Sequence, residues 1–443
     1  MINNNTYVVP AESPGEFIIY SPIKGFLAKA NSTTVQNIAQ AMTTGDWPLH
    51  LRTIQKRFAQ SDMFDPSERF DVETHFSPVG VMIELTTDCP LRCRYCYANA
   101  GDTPENLPWP IAEAAINLIS NNSRRLGKKF SIFFHGRGEP TLNWIVLEQC
   151  VNYSRQISEN NSRPTIRMAT NGVLEMNQLE FITEHFESIS LSLDGPQEIH
   201  DRNRKFLNGN GSFEHAFRTG QYFLKKRFPF GIKAVVTSDD VDELNARIAF
   251  FQEYFPGVSV GFEPVNEFGR CKESGTFKPD INKFISFISK VMDISPEGTF
   301  SYSGILRPEH IRLKFCGALR PTFGVHVDGR VVACVGVPLG NEYADAFCYG
   351  AFDFKSNNFV FESQKIEKLR HLLVDQFGKC DGCFAKWNCA GDCASYRLFQ
   401  ETSGITDTGI PLRCLLNREL LRKQLLGKLR KEEITNRLAT IRS

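Results

Sequence analysis

The stretch VMIELTTDCPLRCRYCY, residues 81 to 97, joins an apolar run rich in β-branched residues to a loop that holds three cysteines. The run predicts a strand over 81–86, and the CxxxCxxC spacing puts Cys89, Cys93 and Cys96 in the loop after it. Three thiolates leave one position open, either on a tetrahedral zinc ion or on a [4Fe-4S] cube, in which each iron needs one outside ligand. A zinc ion completed by a distant histidine is the alternative to an iron–sulfur site.

Five more strand-like runs follow, each ending in turn residues: 130–140, 165–172, 189–196, 230–238 and 258–265. Helical periodicity fills most of the gaps between them, for example over 110–126, 213–227 and 278–293. This βα alternation predicts parallel strands with right-handed crossovers, in a full or partial (β/α)6 barrel of the TIM type. Active sites of such barrels lie at the carboxyl ends of the strands, where the cysteine loop is expected.

With this order of elements, residues 78–300 resemble the radical S-adenosylmethionine (SAM) superfamily. Its cluster motif, CxxxCxΦC with an aromatic residue at Φ, is matched by Cys89, Cys93, Tyr95 and Cys96. The resemblance implies that these cysteines bind a [4Fe-4S] cluster whose open iron is chelated by the amine and carboxylate of SAM. One electron from the cluster would then cleave SAM to a 5′-deoxyadenosyl radical.

The segment GRGEP resembles the superfamily's GGEP segment, with Arg137 in place of the first of two adjacent glycines. The resemblance gives this segment a role in SAM binding, through Gly136, Gly138, Glu139 and Pro140. Glu139 and backbone carbonyls would accept hydrogen bonds from the methionine ammonium, and glycine would let the backbone approach closely. A simple turn at a strand end is the alternative.

A third segment, SLDGPQEIHDRNR over 192–204, resembles the superfamily's fourth-strand segment. By this resemblance Ser192, together with Asn171 or Arg204, would contact the ribose or the carboxylate of SAM. The alternative is that Asp194, Gly195 and Pro196 only form a turn and that Arg204 is a surface charge.

Seven further cysteines form a second group with the spacing C-x12-G-x4-C, then C-x2-C-x5-C-x3-C, then a last cysteine. This spacing resembles the SPASM domain, the C-terminal extension of radical SAM enzymes that mature peptides and proteins. A zinc ribbon is the alternative, but it leaves three of the seven cysteines unexplained. The seven are Cys316, Cys334, Cys380, Cys383, Cys389, Cys393 and Cys414.

The SPASM resemblance implies two auxiliary [4Fe-4S] clusters, hence three clusters in all together with SAM. One auxiliary cluster would be fully ligated by Cys380, Cys383, Cys389 and Cys414. The other would be held by Cys316, Cys334 and Cys393. Its fourth ligand would be Cys348, unless that thiol is free or the open iron binds substrate.

Residues 16–47 predict two short strands, a turn at Lys24 and Gly25, and a helix capped near Ser32 or Thr33, with a second helix over about 49–60. This order resembles the small winged-helix element with which ribosomal-peptide maturases bind a leader peptide as an added strand. A cap over the barrel is the alternative. The predicted domains are therefore 1–77, the N-terminal α+β domain; 78–300, the partial barrel; and 301–443, the SPASM domain with a final helix over 415–438.

The composition of the chain indicates which partners and which cellular compartment to expect. The chain has 443 residues and a formal charge of +1, which gives no sign of a nucleic-acid partner. It shows neither a signal sequence nor a long uncharged apolar stretch, so a cytoplasmic protein without a membrane partner is expected. Thirteen cysteines in a reducing compartment indicate metal ligands rather than disulfides. The expected reductant is a flavodoxin- or ferredoxin-type protein.

These features predict a radical SAM/SPASM enzyme that abstracts hydrogen from a side chain of a ribosomal precursor peptide and forms a thioether or carbon–carbon cross-link. A sulfatase maturase that makes formylglycine is less favoured, because Val335 follows Cys334 where that family carries an aspartate base. A peptide epimerase would use Cys271 as hydrogen donor, unless Cys271 is only a loop residue. A non-catalytic iron–sulfur sensor or electron-transfer protein would not need the segment at 138–140 that resembles a SAM-binding one.

Overall fold

The structure, a computed structural model, describes these residues: 5–59, 76–158, 163–265, 269–275, 278–295, 299–302, 306–316, 323–337, 342–394 and 412–442. The chain forms two compact units. The terminal unit contains Met1–Thr74, Gly304–Cys316 and Leu372–Ser443, and the barrel unit contains His75–Ser303 and Gly317–His371. These units combine distant segments, whereas the predicted domains are consecutive ranges, and that division stays a prediction.

The N-terminal part of the terminal unit is a three-stranded antiparallel sheet with two helices. Its elements are β1 Tyr7–Pro10, β2 Glu16–Ser21, β3 Phe26–Asn31, α1 Ser32–Thr44 and α2 Arg52–Ala59. The helix α1 is capped one residue earlier than expected, since the side chain of Asn31 accepts a hydrogen bond from the backbone N–H of Thr34. Ile19 of β2 and Ile38 of α1 are buried in one hydrophobic core between the sheet and the helices.

The barrel unit is built on the expected alternation of strands and helices. Six parallel strands come first in the chain: β4 Gly80–Ile83, β5 Ser131–Phe134, β6 Thr165–Thr170, β7 Ser188–Ser192, β8 Phe230–Val236 and β9 Ser259–Pro264. The helices between and after them are α3 Trp109–Leu126, α4 Trp144–Gln156, α5 Met176–His185, α6 Gln197–Asn203, α7 Phe213–Lys225, α8 Leu244–Tyr254, α9 Arg270–Glu273 and α10 Ile281–Ile294. The prediction of a partial barrel is confirmed.

The sheet of the barrel unit extends beyond the six predicted strands at both edges. A two-residue strand, β10 Phe300–Ser301, pairs with β9, and β11 Phe323–Val325 pairs in parallel with β4. Antiparallel strands continue the sheet from β11 through β12 Arg330–Val332 and β13 Cys348–Asp353 to β14 Asn358–Phe361. Two helices accompany these strands, α11 Glu342–Phe347 and α12 Ser363–Arg370. Of these strands, β10, β11 and β12 have only two or three residues each, too few to show periodicity in the sequence.

The C-terminal part of the terminal unit packs on its own N-terminal strands. It contains α13 Lys386–Cys389 and the long helix α14 Leu412–Arg442, which includes the predicted final helix and buries Leu416, Leu420, Leu421, Leu425 and Leu429. Ile18 and Tyr20 of β2 share one hydrophobic core with Trp387 and Leu421. The Tyr20 hydroxyl donates a hydrogen bond of 2.9 Å to the side-chain oxygen of Asn388. None of the helices in the part of the chain that the structure describes could serve as a membrane span.

Candidate active site

The three cysteines of the first motif lie in the loop after β4, at the carboxyl end of the barrel strands. All three are free thiols and partly buried. Burial raises the pKa of Cys89 to about 12 and that of Cys93 to about 11. Because metals bind the thiolate, these thiols would release protons when they become ligands.

The predicted carboxylate Glu139 lies beside this loop, after β5, and is buried. It accepts hydrogen bonds from the hydroxyls of Thr170 at 2.8 Å and Thr141 at 3.0 Å, and from the backbone N–H of Asn171 at 2.7 Å. Burial raises the pKa of Glu139 even though these donors act to lower it. The amide nitrogen of Asn171 lies 3.7 Å from the sulfur of Cys89, so one residue contacts both the carboxylate and the cysteine loop.

Gly138 brings the Glu139 segment against the backbone of the cysteine loop. A Cβ atom at this position would lie 2.4 Å from the carbonyl oxygen of Thr86 and 2.5 Å from that of Asp88. The backbone N–H of Glu139 donates to the same Asp88 oxygen at 2.8 Å. Only glycine permits this approach, which supports the prediction that the segment is more than a turn.

Replacing Gly138 with alanine is expected to push the segment 136–140 away from the cysteine loop, because the nearest atoms belong to rigid backbone. We expect at least a tenfold loss of SAM affinity, measured by equilibrium binding to the reconstituted protein. Gly231→Ala in β8 is the matched control, since its Cβ would meet no atom closer than 3.5 Å. Equal affinity in the two variants would contradict the close-packing argument.

Arg137, the departure from the superfamily segment, is held by a buried carboxylate that the sequence did not reveal. Its Nε and Nη2 donate to the two carboxylate oxygens of Glu84 at 2.8 and 2.7 Å. His326, just after β11, shares Glu84 through a 2.8 Å contact of its Nδ1. Burial alone would raise the pKa of Glu84, but hydrogen bonds from Arg137 and His326 lower it to about 2. Glu84, which directly follows β4, thus links Arg137 to His326 in the chain after β11.

The third predicted segment brings a buried arginine to the cysteine loop. The hydroxyl of Tyr95 donates to Asp194 at 2.5 Å, and Arg204 pairs with the same carboxylate at 3.3 Å while lying over the Tyr95 ring. Although burial alone would raise it, the pKa of Asp194 lies below its ordinary value, mainly because of Arg204. Arg204 is therefore not a surface charge. Ser192 lies partly buried at the end of β7.

Four cysteines of the second group are neighbours in the terminal unit. Burial raises the pKa of the Cys389 thiol, and nearby Cys414, Cys383 and Cys380 raise it further. The side-chain amide of Asn417 on α14 lies 3.5 Å from the Cys389 sulfur. The four cysteines that the sequence groups together are thus brought to one place.

Cys334 and Cys348 both lie close to one antiparallel strand pair of the barrel unit, β12 and β13. Cys348 opens β13 opposite Val332 of β12, two residues before Cys334. Among the described residues, no three His, Cys, Asp or Glu side chains converge as ligands of a single metal ion. Thiolates around an iron–sulfur cube need no such convergence, because each binds a different iron.

The comparisons with known proteins agree with this geometry. Residues 83–245 match the model of the Radical SAM superfamily. The chain is 24% identical over 360 residues to the cysteine-type anaerobic sulfatase-maturating enzyme of Clostridium perfringens, covering 74% of this chain and 92% of the relative. It is 32% identical over 216 residues to an uncharacterized protein of Methanocaldococcus jannaschii, covering 48% and 70%. Mycofactocin maturase MftC of Mycolicibacterium smegmatis is 24% identical over 360 residues, covering 76% and 81%.

Solved structures share the fold. A structure titled native anSMEcpe with bound AdoMet and Cp18Cys peptide has a TM-score of 0.62 at 21% identity and covers 82% of this chain and 99% of that one. Streptococcus suis SuiB bound to precursor peptide SuiA has a TM-score of 0.53 at 14% identity and covers 90% and 96%. The chain belongs to the radical SAM superfamily. It is an enzyme of that superfamily, related to sulfatase maturases and peptide maturases.

Substituting glutamine for Glu139 is expected to lower the rate of SAM cleavage at least a hundredfold. The amide would bring donors against the hydroxyls of Thr170 and Thr141 or against the Asn171 N–H, and it would remove the negative charge that is expected to pair with the methionine ammonium. The measurement is 5′-deoxyadenosine formed with excess reductant. Glu180→Gln on the exposed face of α5 is the control. Cleavage unchanged in Glu139→Gln would exclude this carboxylate from SAM binding.

Proposed function

We propose that this protein is a peptide-modifying radical SAM enzyme whose cluster is held by Cys89, Cys93 and Cys96. When bound, a [4Fe-4S] cluster with SAM on its open iron supplies the electron that cleaves SAM to the 5′-deoxyadenosyl radical. The residues present fit a [4Fe-4S] cluster, since three partly buried thiols share one loop. Gly138 lets the backbone of the Glu139 segment pack closely against that loop. The single observation that carries the proposal is Asn171, which contacts both Glu139 and Cys89.

The residues around the cysteine loop would hold SAM in a fixed orientation. Glu139 and backbone carbonyls near it would accept hydrogen bonds from the methionine ammonium. Asn171, Ser192 and Arg204 would bind the carboxylate or the ribose from the next strand ends. The burial of Glu139 excludes water from this contact, which strengthens a charged hydrogen bond.

The second cysteine group is proposed to bind two auxiliary [4Fe-4S] clusters. The proximity of Cys380, Cys383 and Cys414 to Cys389 supports the first ligand set. The pairing of Cys348 with Val332 brings Cys348 to the strand that leads to Cys334, which supports Cys348 as the fourth ligand of the other set, with Cys316 and Cys393. The Asn417 amide near the Cys389 sulfur is the kind of contact that tunes such a site.

A precursor peptide is the proposed substrate, and oxidation of one of its side chains is the proposed outcome. Loss of one hydrogen atom leaves a carbon radical, and a cross-link then requires loss of one further electron and one proton. An auxiliary iron–sulfur cluster is the class of group that accepts the electron. A flavodoxin- or ferredoxin-type protein is the proposed source of the electron that starts the reaction.

Formylglycine formation in a sulfatase is the second candidate, and it is favoured by the similarity to sulfatase-maturating enzymes. Val335 weighs against it, because this side chain is buried and apolar at the position where the aspartate base is expected. A valine cannot accept the proton that this oxidation releases.

The test uses the reconstituted enzyme with SAM, reductant and short peptides encoded next to its gene. Mass spectrometry should find a peptide that has lost two hydrogens, as a cross-link requires. A cysteine-containing sulfatase peptide converted to an aldehyde would favour the second candidate instead. Unchanged mass with deuterium taken up from solvent would indicate epimerisation, and no modified peptide despite SAM cleavage would contradict the proposal.

A further inference from the structure

Two arginines hold the backbone of the cysteine loop. Arg92 donates from Nη1 to the carbonyl oxygen of Cys89 at 2.7 Å, and from Nη2 to that of Gly101 at 2.7 Å. Arg270 donates from Nη1 to the carbonyl oxygen of Cys93 at 3.4 Å, and its backbone N–H donates to that of Cys96 at 3.0 Å. The carbonyls of all three motif cysteines are therefore bonded to one or the other of these arginines.

A single carboxylate balances the two guanidinium groups. Asp102 accepts from Arg270 Nη2 at 2.7 Å and lies 3.4 Å from Arg92 Nε. The side chains of Arg270 and Arg92 are only 14% and 21% exposed, whereas that of Asp102 is 45% exposed. Two cations therefore lie on the cysteine loop, and the carboxylate that pairs with both lies closer to solvent. Arg92, Arg270 and Asp102 together carry a net positive charge. The carboxylate of Asp102 is screened more strongly by solvent and salt than the two guanidinium groups are.

The segment that carries Arg270 is built for this contact. Gly269 has a φ of +57°, and a Cβ atom there would lie 2.6 Å from the carbonyl oxygen of Cys96. Cys271, which follows Arg270, is buried and packs against Tyr95 and Cys93, so its thiol is not exposed. The Ser274 hydroxyl donates to the Arg94 carbonyl at 2.9 Å. The short helix α9, which follows β9 in the chain, thus packs directly against the cysteine loop.

We propose that Arg92, Arg270 and Asp102 form a charge network that sets the reduction potential of the cluster held by Cys89, Cys93 and Cys96. The inference rests on the proposed function and adds residues to the same site. Reduction makes a cluster more negative, so nearby cations stabilise the reduced state and a nearby anion opposes it. Net charge and hydrogen bonding around the ligands are known determinants of cluster potentials.

The test is a redox titration of the full, reconstituted chain. The titration is monitored by electron paramagnetic resonance, through the cluster signal that changes when SAM is added. Arg92→Gln and Arg270→Gln should shift the midpoint potential of that signal to more negative values. Asp102→Asn should shift it to more positive values, because the cations lose their counter-charge. Arg218→Gln is the matched control, since Arg218 also donates to a backbone carbonyl, that of Leu174 at 2.8 Å, but outside the cysteine loop.

Opposite signs distinguish charge from packing, because a purely structural network would shift both kinds of variant in the same direction. Equal shifts, or potentials unchanged in all three, would overturn the inference. If Arg270→Gln does not assemble its cluster, the direction in which Asp102→Asn shifts the midpoint potential decides the test alone. Asp102 lies at the surface, so this variant is expected to fold. Absence of the cluster from the wild-type chain would instead refute the proposed function.

Discussion

A chain in which Cys89, Cys93 and Cys96 are all changed to alanine is expected to lose SAM cleavage completely and to bind about four irons fewer than the wild type after anaerobic reconstitution. Each cysteine in the proposed site ligates a different iron, so no neighbouring side chain can replace the three. The measurements are iron per chain and 5′-deoxyadenosine formed with excess reductant. If the proposed auxiliary clusters are present, about eight irons remain of about twelve.

Cys150→Ala is the control for this experiment. Cys150 is a free thiol buried in α4 and lies outside both cysteine groups. Its loss should leave iron content and cleavage unchanged. Cleavage that survives the triple substitution, or zinc found in place of iron, would refute the assignment of the first motif.

The second large effect concerns the buried carboxylate of Glu84. Changing Glu84 to alanine leaves Arg137 and the fully buried His326 without their shared partner. Breaking a buried pair from one side costs about 3–5 kcal/mol. We expect a loss of that size in urea unfolding of the full chain at pH 7, whereas Glu180→Ala on the exposed face of α5 should cost less than about 0.5 kcal/mol.

The same carboxylate predicts a direction of pH dependence. Its pKa is about 2 in the folded chain against an ordinary value of 4.5. The stabilisation is therefore fully present above pH 4.5 and is lost as the pH falls towards about 2. The difference in stability between wild type and Glu84→Gln should narrow across this window. A constant difference would show that Glu84 does not carry a depressed pKa in the native state.

The sequence predicted the parts of the site that depend on spacing along the chain. The cysteine loop, Glu139 after β5 and the six strand positions follow from local patterns, and the structure confirms the strands to within a few residues. The sequence left open whether Arg204 is a site residue or a surface charge, because its partner, Asp194, could equally have belonged to a simple turn. Two charges separated by ten residues reveal their pairing only when the chain between them folds.

Contacts between distant segments could not be predicted. Nothing near Arg137 in sequence identifies Glu84, and His326 lies 242 residues away from Glu84. A charged residue inside the apolar run before the cysteines was the one available signal, since buried carboxylates need partners. The strand β1 was not predicted; it ends in Pro10, a residue that cannot donate a hydrogen bond to a neighbouring strand.

The shared core of the terminal unit has a consequence for the order in which this chain can fold during synthesis. Ile18 and Tyr20 leave the ribosome early, but Trp387 and Leu421, against which they pack, are made more than 360 residues later. The barrel unit, whose strands follow one another in the chain, can fold while synthesis continues. The face of the first sheet that carries Ile18 and Tyr20 must therefore wait until the later cysteine-rich segment has emerged, whereas Ile19 can already pack against Ile38 of α1.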